Sequence, residues 1–527
     1  MLNKKVVTCG CVAAILLLST PAARADEYWT VSSGDWSVPG YWDGGAVPTS
    51  SDNAYIVNGG TATVTTAGNV CSGLSLGSTA GSGAVKMTGG SLAPSDAYIG
   101  NSGTGRFTQS GGTNSISNGL YLGWDSAGTY SLSGAGQLQA VDEWLACGTG
   151  TTALFQQSGG TNTVTGWFVL GEGPGSPYGG NATYNLSGGE LLMPDSRGWI
   201  GVCGTGTFTQ SGGTNAALGG LMIGVNSGSS GTYNLNGGTL AACYYVQGNG
   251  TFNFNGGLLQ AGGPSVTMND LSYAYVMSGG AKIDTNGQTI TIALPLLDGG
   301  GGGGLTKLGA GTLTLSDTCS YTGPTAVNAG SLIVAGSLGS TAVTVSGGAT
   351  LGGTGSIGGT VVVAGGSTAD TQGAVNLADG MIGTLTLSDS RAADTVLTLG
   401  GPTAGNLSVL TFEVGAIADR IQVAAGKVAV NPGGSLINII ALSGFGPGTY
   451  DLLDFPSGQA SGLGYLSLAT TSLSGYTLSL QSTPTSEQLV VSVPEPGTLA
   501  LVAAGLACGA AIGLRRGRNR AKGWAAE

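Results

Sequence analysis

The sequence predicts an all-β fold: a parallel β-helix, or β-solenoid, with coils of about 24 residues, a C-terminal β-rich cap and a single C-terminal transmembrane helix. The first observation behind this prediction is a motif that returns every 19 to 29 residues. In each copy an aromatic residue lies three positions before a Ser-Gly-Gly-like turn. A weaker copy starts at Val85, and the others start at Phe107, Tyr130, Phe155, Tyr184, Phe208, Tyr233, Phe252 and Tyr275.

The second observation is the composition. The chain has 102 glycines, 41% hydrophobic residues and only 8% charged residues. Glycine supplies the positive φ angles of tight turns, so this composition is typical of many short strands joined by turns. The hydrophobic content and low charge density argue against disorder. The formal charge of −11 predicts that the protein binds no nucleic acid, which needs a basic surface.

The third observation is period-two alternation around each repeated aromatic residue. The aromatic residue and the residue two positions later point to one side of a strand, and the polar residue between them points to the other. We expect the aromatic side to face the interior. The inward residues at the second position are then Gln109, Leu132, Gln157, Leu186, Gln210, Leu235 and Phe254.

Phenylalanine and tyrosine coils alternate, and through Tyr233 glutamine follows phenylalanine whereas leucine follows tyrosine. Adjacent coils stack about 4.8 Å apart, so a tyrosine hydroxyl can reach the glutamine amide of the neighbouring coil. We expect such inter-coil hydrogen bonds, because an unsatisfied buried polar group costs about 1–3 kcal/mol. A partly solvated column is the alternative.

Residues 1–25 have the pattern of a secretory signal peptide: Lys4 and Lys5, an apolar run over 12–18, and a small-x-small cleavage site at Ala23 and Ala25. Residues 26–56 are rich in aromatic residues, including Trp29, Trp36 and Trp42. We interpret this segment as a cap that covers the open end of the solenoid, in preference to a carbohydrate-binding platform.

The solenoid repeat block is predicted over residues 57–298, and it contains a second aromatic position. This position is Tyr98, Tyr121, Trp144 and Trp199, with Met222 as an aliphatic variant and with Trp167 and Tyr245 ambiguous in register. An exposed stripe for glycan stacking and a second inner ladder are both open, and packing energy favours the inner ladder.

Six glycines at 299–304 are interpreted as a hinge or an insertion. Residues 305–316 then read LTKLGAGTLTLS and residues 321–334 read YTGPTAVNAGSLIV. These segments resemble the autotransporter-associated β-strand repeat, which implies a parallel β-helix in a bacterial surface or secreted protein and supplies no catalytic residues. We place this second solenoid section at 305–370 and a C-terminal β-region at 371–492.

Residues 493–520 contain Pro494, Glu495 and Pro496, an apolar stretch over 499–514, and a basic cluster that includes Arg515 and Arg516. The apolar stretch has the marginal length of a short membrane helix, with a positive cytoplasmic end. The order of these parts is similar to the PEP-CTERM sorting signal. The resemblance implies an exosortase-type sorting enzyme as partner, a transient membrane anchor, and a bacterium that makes exopolysaccharide.

Catalytic, metal-binding and cofactor-binding patterns are scarce, so we expect no cofactor. The chain has no histidine, which removes Ser-His and Cys-His arrangements. Five cysteines of the exported part lack CxxC spacing, which leaves at most one unassigned disulfide. The acidic and basic residues nearest one another along the coils are Asp142, Glu143, Glu172, Glu190, Asp195 and Arg197, and we interpret them as solvated loop charges.

These observations predict a secreted, non-enzymatic protein of the cell surface or extracellular matrix, with a structural or adhesive role and exopolysaccharide as a candidate ligand. The alternative is a β-helix enzyme that degrades or modifies polysaccharide, which would need clustered carboxylates.

Overall fold

A computed structural model describes residues 26–79, 81–173, 179–389 and 394–494. The described chain is all-β, as predicted, and its strands form a repetitive parallel solenoid. The helices found in these residues are single 3₁₀ turns at Pro39–Tyr41, Ala369–Thr371 and Leu463–Tyr465. No helix in the described ranges is long and apolar enough to cross a membrane. The predicted signal peptide at 1–25 and transmembrane segment at 499–514 lie outside these ranges.

The strands up to residue 298 form the coils of the repeat block and of the segment before it. They are β1 Asp26–Tyr28, β2 Ser33–Asp35, β3 Asn53–Ile56, β4 Thr61–Val64, β5 Asn69–Leu76, β6 Gly83–Met87, β7 Ser91–Ile99, β8 Gly105–Gln109, β9 Thr113–Leu122, β10 Gly128–Leu132, β11 Gln137–Leu145, β12 Thr152–Val164, β13 Phe168–Leu170, β14 Asn181–Met193, β15 Gly198–Ile200, β16 Thr205–Ala217, β17 Leu221–Ile223, β18 Ser230–Gln247, β19 Thr251–Phe254, β20 Leu258–Asn269, β21 Tyr273–Val276, β22 Ala281–Asp284, β23 Thr289–Ile292 and β24 Leu296–Asp298.

The strands after the glycine run are shorter on average and richer in valine and leucine. They are β25 Leu305–Leu308, β26 Thr312–Leu315, β27 Thr318–Cys319, β28 Thr325–Val327, β29 Ser331–Val334, β30 Ser337–Leu338, β31 Val343–Val345, β32 Thr350–Gly352, β33 Ser356–Ile357, β34 Val361–Val363, β35 Ala374–Asn376, β36 Thr384–Ser388, β37 Thr395–Leu399, β38 Ser408–Val414, β39 Arg420–Ala425, β40 Lys427–Val430, β41 Ser435–Ala441, β42 Gly448–Asp454, β43 Ala460–Ser461, β44 Leu466–Leu468, β45 Ser472–Leu473, β46 Tyr476–Ser482 and β47 Ser486–Ser492.

Parallel pairing between successive coils builds the faces of the solenoid. One face runs without a break from β1 to β44, each strand paired in parallel with its equivalent in the next coil. A second face runs from β2 to β24, and a third reaches β43. The hydrophobic core is the interior of the stack, where each coil packs against its neighbours.

The predicted inward register is confirmed over seven coils. Phe107 lies opposite Tyr130, and the equivalent residues continue in register to Phe252. Their rings are fully buried and stacked, with centroids 4.5–5.2 Å apart. The weaker copy at Val85 also lies in this column, opposite Phe107.

The prediction that Tyr275 is the last member of this column is wrong. Phe252 lies opposite Ala274, and Tyr275 lies opposite the outward Asn253. Val276 occupies the inward position opposite Phe254, which leaves Met277 between the strand and its turn. One additional residue before the turn shifts the side-chain parity, because alternate residues of a strand face opposite sides.

The predicted bonds between tyrosine and glutamine are present in all three coil pairs. The hydroxyl of Tyr130 donates to Gln109 Oε1 at 2.6 Å, Tyr184 donates to Gln157 at 2.5 Å, and Tyr233 donates to Gln210 at 2.6 Å. Each hydroxyl also accepts a hydrogen bond from an asparagine of the same coil as the glutamine. These asparagines are Asn114, Asn162 and Asn215, at 3.1–3.2 Å. These hydrogen bonds join each phenylalanine coil to the tyrosine coil that follows it.

The Ser-Gly-Gly turns need glycine for two separate reasons. Gly189 and Gly213 have φ angles of +80° and +64°, which side chains of L-residues rarely adopt. A Cβ atom at Gly213 would also collide with the backbone oxygen of Gly189, one coil earlier, and one at Gly189 with that of Gly160. The turns therefore stack backbone on backbone.

The six-glycine run forms the turn between β24 and β25, and pairing continues on both sides of it through β22–β25 and β23–β26. Gly300, Gly301 and Gly302 have positive φ angles, and a Cβ atom at Gly303 would collide with the carbonyl oxygen of Met277. The amide of Gly323 donates to Gly303 O at 3.0 Å. The run is thus in contact with the coil on each side.

Both ends of the described stack are covered. Trp29, Trp36 and Trp42 are buried and pack edge to face, with centroids 4.8–5.1 Å apart, and Trp42 Nε1 donates to Trp36 O. Their ring faces are used in this cluster, which favours the cap over a carbohydrate platform. At the other end β45, β46 and β47 pair antiparallel with one another and with β42.

Candidate functional site

The charged residues considered for catalysis lie in different surroundings. Glu190 is exposed and Glu172 is half-buried, where it accepts a weak hydrogen bond from Cys203 Sγ at 3.6 Å. Asp142 accepts the backbone N–H of Trp167 at 2.7 Å. Within the described ranges, no three acidic or cysteine residues are arranged to hold a metal ion.

The interpretation of Glu143 as a solvated loop charge is wrong. Its side chain is fully buried inside the solenoid, because β11 continues through it and Asp142 takes the outward position. Glu143 Oε2 accepts from Asn162 Nδ2 at 3.2 Å. Glu143 Oε1 and Asn162 Oδ1 have no hydrogen-bond partner. Burial raises the pKa of Glu143 to about 8, so the carboxyl group is predominantly protonated at neutral pH.

The second aromatic position faces the solvent, so the preferred interpretation as an inner ladder is wrong. Ile99, Leu122, Leu145 and Ile200, the residues that follow each aromatic side chain, fill the interior instead. The aromatic residues are half-buried on the outside of one face. In register, this outer column comprises Tyr28, Tyr55, Ser75, Tyr98, Tyr121, Trp144, Val169, Trp199, Met222 and Gln247.

Most rings of the outer column cover one another. Tyr98 and Tyr121 stack with centroids 4.7 Å apart and an interplanar angle of 16°, and Trp124 packs edge-on against both. Tyr28 and Tyr55 stack in the same way at 4.8 Å. A ring between two stacked neighbours presents only its edge to a ligand. A free aromatic face is therefore expected only where the stack is interrupted.

The aromatic column is interrupted at Ser75 and again at Val169. Trp167, two residues earlier on the same side of the chain, extends into the gap, with its centroid 6.3 Å from Trp144 and 5.5 Å from Trp199. Its ring is tilted by 50° from that of Trp199, and half of the residue is exposed. A groove of about 340 Å³ lies here, lined by Thr165, Gly166, Trp167, Asp195, Ser196, Arg197 and Trp199.

Arg197 on the edge of this groove is held by a ring from another coil. Its guanidinium carbon lies 5.8 Å from the centre of the Tyr245 ring, a distance typical of a cation–π contact. The Tyr245 ring lies over Gly220, where a Cβ atom would approach it to 2.8 Å. Glycine at 220 therefore leaves room for the ring that positions Arg197.

Asp195 and Arg197 are thus brought together with Trp167 and Trp199, whereas Glu143 and Glu190 are not part of this groove. The sequence singled out the two charged residues and the two tryptophans separately. The register of Trp167 was ambiguous in the sequence, and in the structure it lies two positions before Val169, the residue in register with the column. The gap that it fills at Val169 is visible only once the coils are aligned.

A buried lysine lies at the centre of the 305–334 segment. Lys307 is fully buried, and the three N–H groups of its Nζ atom are shared among four acceptors at 2.8–3.0 Å: Thr285 Oγ1 and the carbonyl oxygens of Leu308, Gly309 and Ala329. Burial lowers the pKa of Lys307 to about 8. The ammonium group holds together the turns of three successive coils.

A network of buried hydroxyl groups joins the same segment to Thr341, which follows it. Tyr321 Oη and Thr325 Oγ1 are 2.7 Å apart, Thr341 Oγ1 lies 3.1 Å from Thr325 Oγ1, and Thr341 donates to Gly323 O at 2.6 Å. Each of these three hydroxyl groups has a hydrogen-bond partner inside the solenoid. The polar residues of the segment therefore stabilise the coils.

The five cysteines of the exported part are free thiols: Cys71, Cys147, Cys203, Cys243 and Cys319. The disulfide left open by the sequence is not formed among them. Burial raises the pKa of Cys71 to about 12, which keeps that thiol protonated and unreactive.

Two family models match parts of the chain. Residues 305–334 match the passenger-associated-transport-repeat, and residues 492–518 match the PEP-CTERM protein-sorting motif. A comparison with curated proteins found no match. The second segment contains Pro494, the exposed residue that follows β47 by two positions, and Glu495, Pro496, Arg515 and Arg516, which lie outside the described residues.

The PEP-CTERM motif implies recognition by an exosortase-type sorting enzyme and export to the cell envelope or surface. The repeat at 305–334 belongs to the continuous stack of coils, from β25 to β29. The chain therefore carries a PEP-CTERM sorting motif and a passenger-associated transport repeat, which together indicate a secreted surface protein.

Proposed function

We propose that the protein is a non-enzymatic, structural or adhesive component of the cell surface or extracellular matrix that contacts exopolysaccharide. One observation carries this proposal: the inward side chains of the coils bond to neighbouring coils, whereas the outward side chains face the solvent. The inward polar groups of Gln157, Tyr184 and Lys307 are engaged in contacts between coils. The outward side displays the aromatic column and the groove beside Trp167.

The alternative function is degradation or modification of polysaccharide. General acid–base hydrolysis of a glycoside needs two carboxyl groups on either side of one bond, about 5–10 Å apart. Asp195 gives the groove one exposed carboxylate, and Glu143 is enclosed in the interior. This distribution supports binding in preference to cleavage.

The two functions are separated by incubating the full chain with purified bacterial exopolysaccharides, with and without calcium. Co-sedimentation measures binding, and the appearance of reducing or unsaturated chain ends measures cleavage. The proposal predicts binding without new ends. New ends that disappear in Asp195→Asn would instead establish an enzyme, and absence of both signals would remove the adhesive role.

A further inference from the structure

The groove at Trp167 differs from the rest of the outer column in one respect that bears on ligand binding. Tyr28 stacks on Tyr55 and Tyr98 stacks on Tyr121 in nearly parallel pairs, so each of these rings covers one face of its partner. At the groove, the rings of Trp167 and Trp199 are tilted by 50° with centroids 5.5 Å apart, so they do not cover each other as a parallel pair does. The exposed half of Trp167 is apolar surface that the fold does not bury.

The edge of the groove supplies polar groups of both kinds. Asp195 is an exposed carboxylate and accepts hydrogen bonds, whereas the exposed Arg197 donates them in a fixed fork. Arg197 is positioned by the Tyr245 ring, which reduces the conformational freedom lost on binding. The backbone of Trp167 is likewise fixed, because its N–H donates to Asp142 and its carbonyl oxygen accepts from Glu143 N.

These features fit a particular ligand chemistry. A pyranose ring has an apolar face of C–H groups that can lie on an indole, and a rim of hydroxyl groups that both donate and accept hydrogen bonds. An aromatic surface with one acceptor and one donor at its edge matches this arrangement. The two side chains cancel in charge, and the chain as a whole carries −11, which favours a neutral sugar over a polyanionic one.

We propose that the groove formed by Trp167, Trp199, Asp195 and Arg197 is a binding subsite for a neutral hexopyranose unit of a polysaccharide chain. This inference rests on the surface role proposed above and names the class of ligand and the residues that bind it. Trp167 provides the stacking face, and Asp195 and Arg197 orient the hydroxyl groups. The groove volume of about 340 Å³ accommodates a sugar ring rather than a larger folded ligand.

The test uses the full chain and a panel of hexasaccharides of glucose, galactose and mannose, with a hexasaccharide of a uronic acid as the charged comparison. Binding is measured by titration calorimetry and by saturation-transfer NMR. We expect at least one neutral hexasaccharide to bind with a dissociation constant of about 1 mM or tighter. Trp167→Ala should weaken this binding at least tenfold, and Arg197→Gln at least threefold.

Tyr273→Ala is the matched control, because Tyr273 is 50% exposed, like Trp167, and lies on another part of the solenoid surface. It should leave the affinity unchanged, and the thermal unfolding of all three variants should match that of the parent. Arg197→Gln keeps the aromatic surface, so it tests the site even if Trp167→Ala disturbs the local structure.

Three outcomes overturn the subsite. They are binding that Trp167→Ala and Arg197→Gln leave intact, preference for the uronic acid hexasaccharide, and no binding to any member of the panel. Each is compatible with co-sedimentation of the whole polymer, so the subsite can fail while the surface role stands. Shortening of the hexasaccharides during the titration would contradict the non-enzymatic role itself.

Discussion

Single residues determine whether a polar group can be buried in this solenoid. Tyr184 has both hydrogen-bond partners it needs, because Gln157 accepts its proton and Asn162 donates to its oxygen. The alternation of residue types made the partnership with glutamine predictable from the sequence. The asparagine was missed, although it follows each of the three phenylalanines by seven positions. That regularity would have identified it.

Tyr184→Phe should lower the free energy of unfolding by about 1–3 kcal/mol, because Gln157 Oε1 loses its donor inside the core. Urea unfolding of the full chain measures the change. Tyr121→Phe is the control, since it removes the same hydroxyl from the outer column. Equal stability of the Tyr184→Phe variant and the parent would show that the inter-coil bond contributes nothing.

Glu143 should make stability depend on pH. Its pKa is raised to about 8 in the fold from about 4.3 in an unfolded chain, so the folded state binds the proton more tightly. The contribution of Glu143 to the free energy of unfolding should therefore be greatest below about pH 4 and fall by up to about 1.4 kcal/mol per pH unit until about pH 8. The nearby hydroxyls of Tyr130 and Tyr184 stay protonated throughout, because burial raises the pKa of each.

Glu143→Gln should abolish this part of the pH dependence, because the amide mimics the protonated acid and can donate to Asn162 Oδ1. The measurement is the difference in unfolding free energy between parent and variant from pH 4 to pH 9. Glu190→Gln, on an exposed residue, is the control. A difference that stays constant over this pH range would mean that Glu143 does not titrate in the fold.

The strands are aligned by the alternation of their side chains and by the turns that join them. The sequence predicted this alignment in some coils and not in others. Alternation from Phe107 to Phe252 predicted which side of each strand is buried. It could not assign the pair formed by Tyr121 and Leu122, because adjacent residues face opposite sides and either can fill the interior. The prediction that Tyr275 faces the interior is wrong because Met277 adds one residue before the turn.

The turns of the 305–334 segment depend on Lys307. Lys307→Met should lower the free energy of unfolding by at least about 3 kcal/mol, because three carbonyl oxygens and one hydroxyl group lose their buried donor. Lys282→Met on the adjacent coil is the control, since Lys282 is exposed. Both are compared by urea unfolding and by amide exchange at Gly309 and Gly330. If Lys307→Met and Lys282→Met had the same free energy of unfolding and the same amide exchange rates, the structural role of Lys307 would be refuted.

At the scale of the whole molecule, repetition made the solenoid predictable and left the surface unpredictable. Each coil buries its inner side against the next, so the repeated inward pattern specifies the stack. The groove at Trp167 arises where Val169 interrupts the column of outward aromatic residues. Such an interruption does not recur at a fixed period along the sequence, so the repeat pattern cannot predict it. The site is therefore found by aligning coils in three dimensions.

The central structural claim is that the coils form an unbroken stack from β1 to β44. The nineteen strands of that face are separated by eighteen steps of about 4.8 Å, so the stack should be about 86 Å long. Small-angle X-ray scattering of the chain from Asp26 to Ser492 measures this length directly. A maximum dimension of about 90–100 Å, with the profile of a rod, is the predicted result. A compact particle with a radius of gyration near 23 Å, as expected for a globular domain of this size, would contradict the stack.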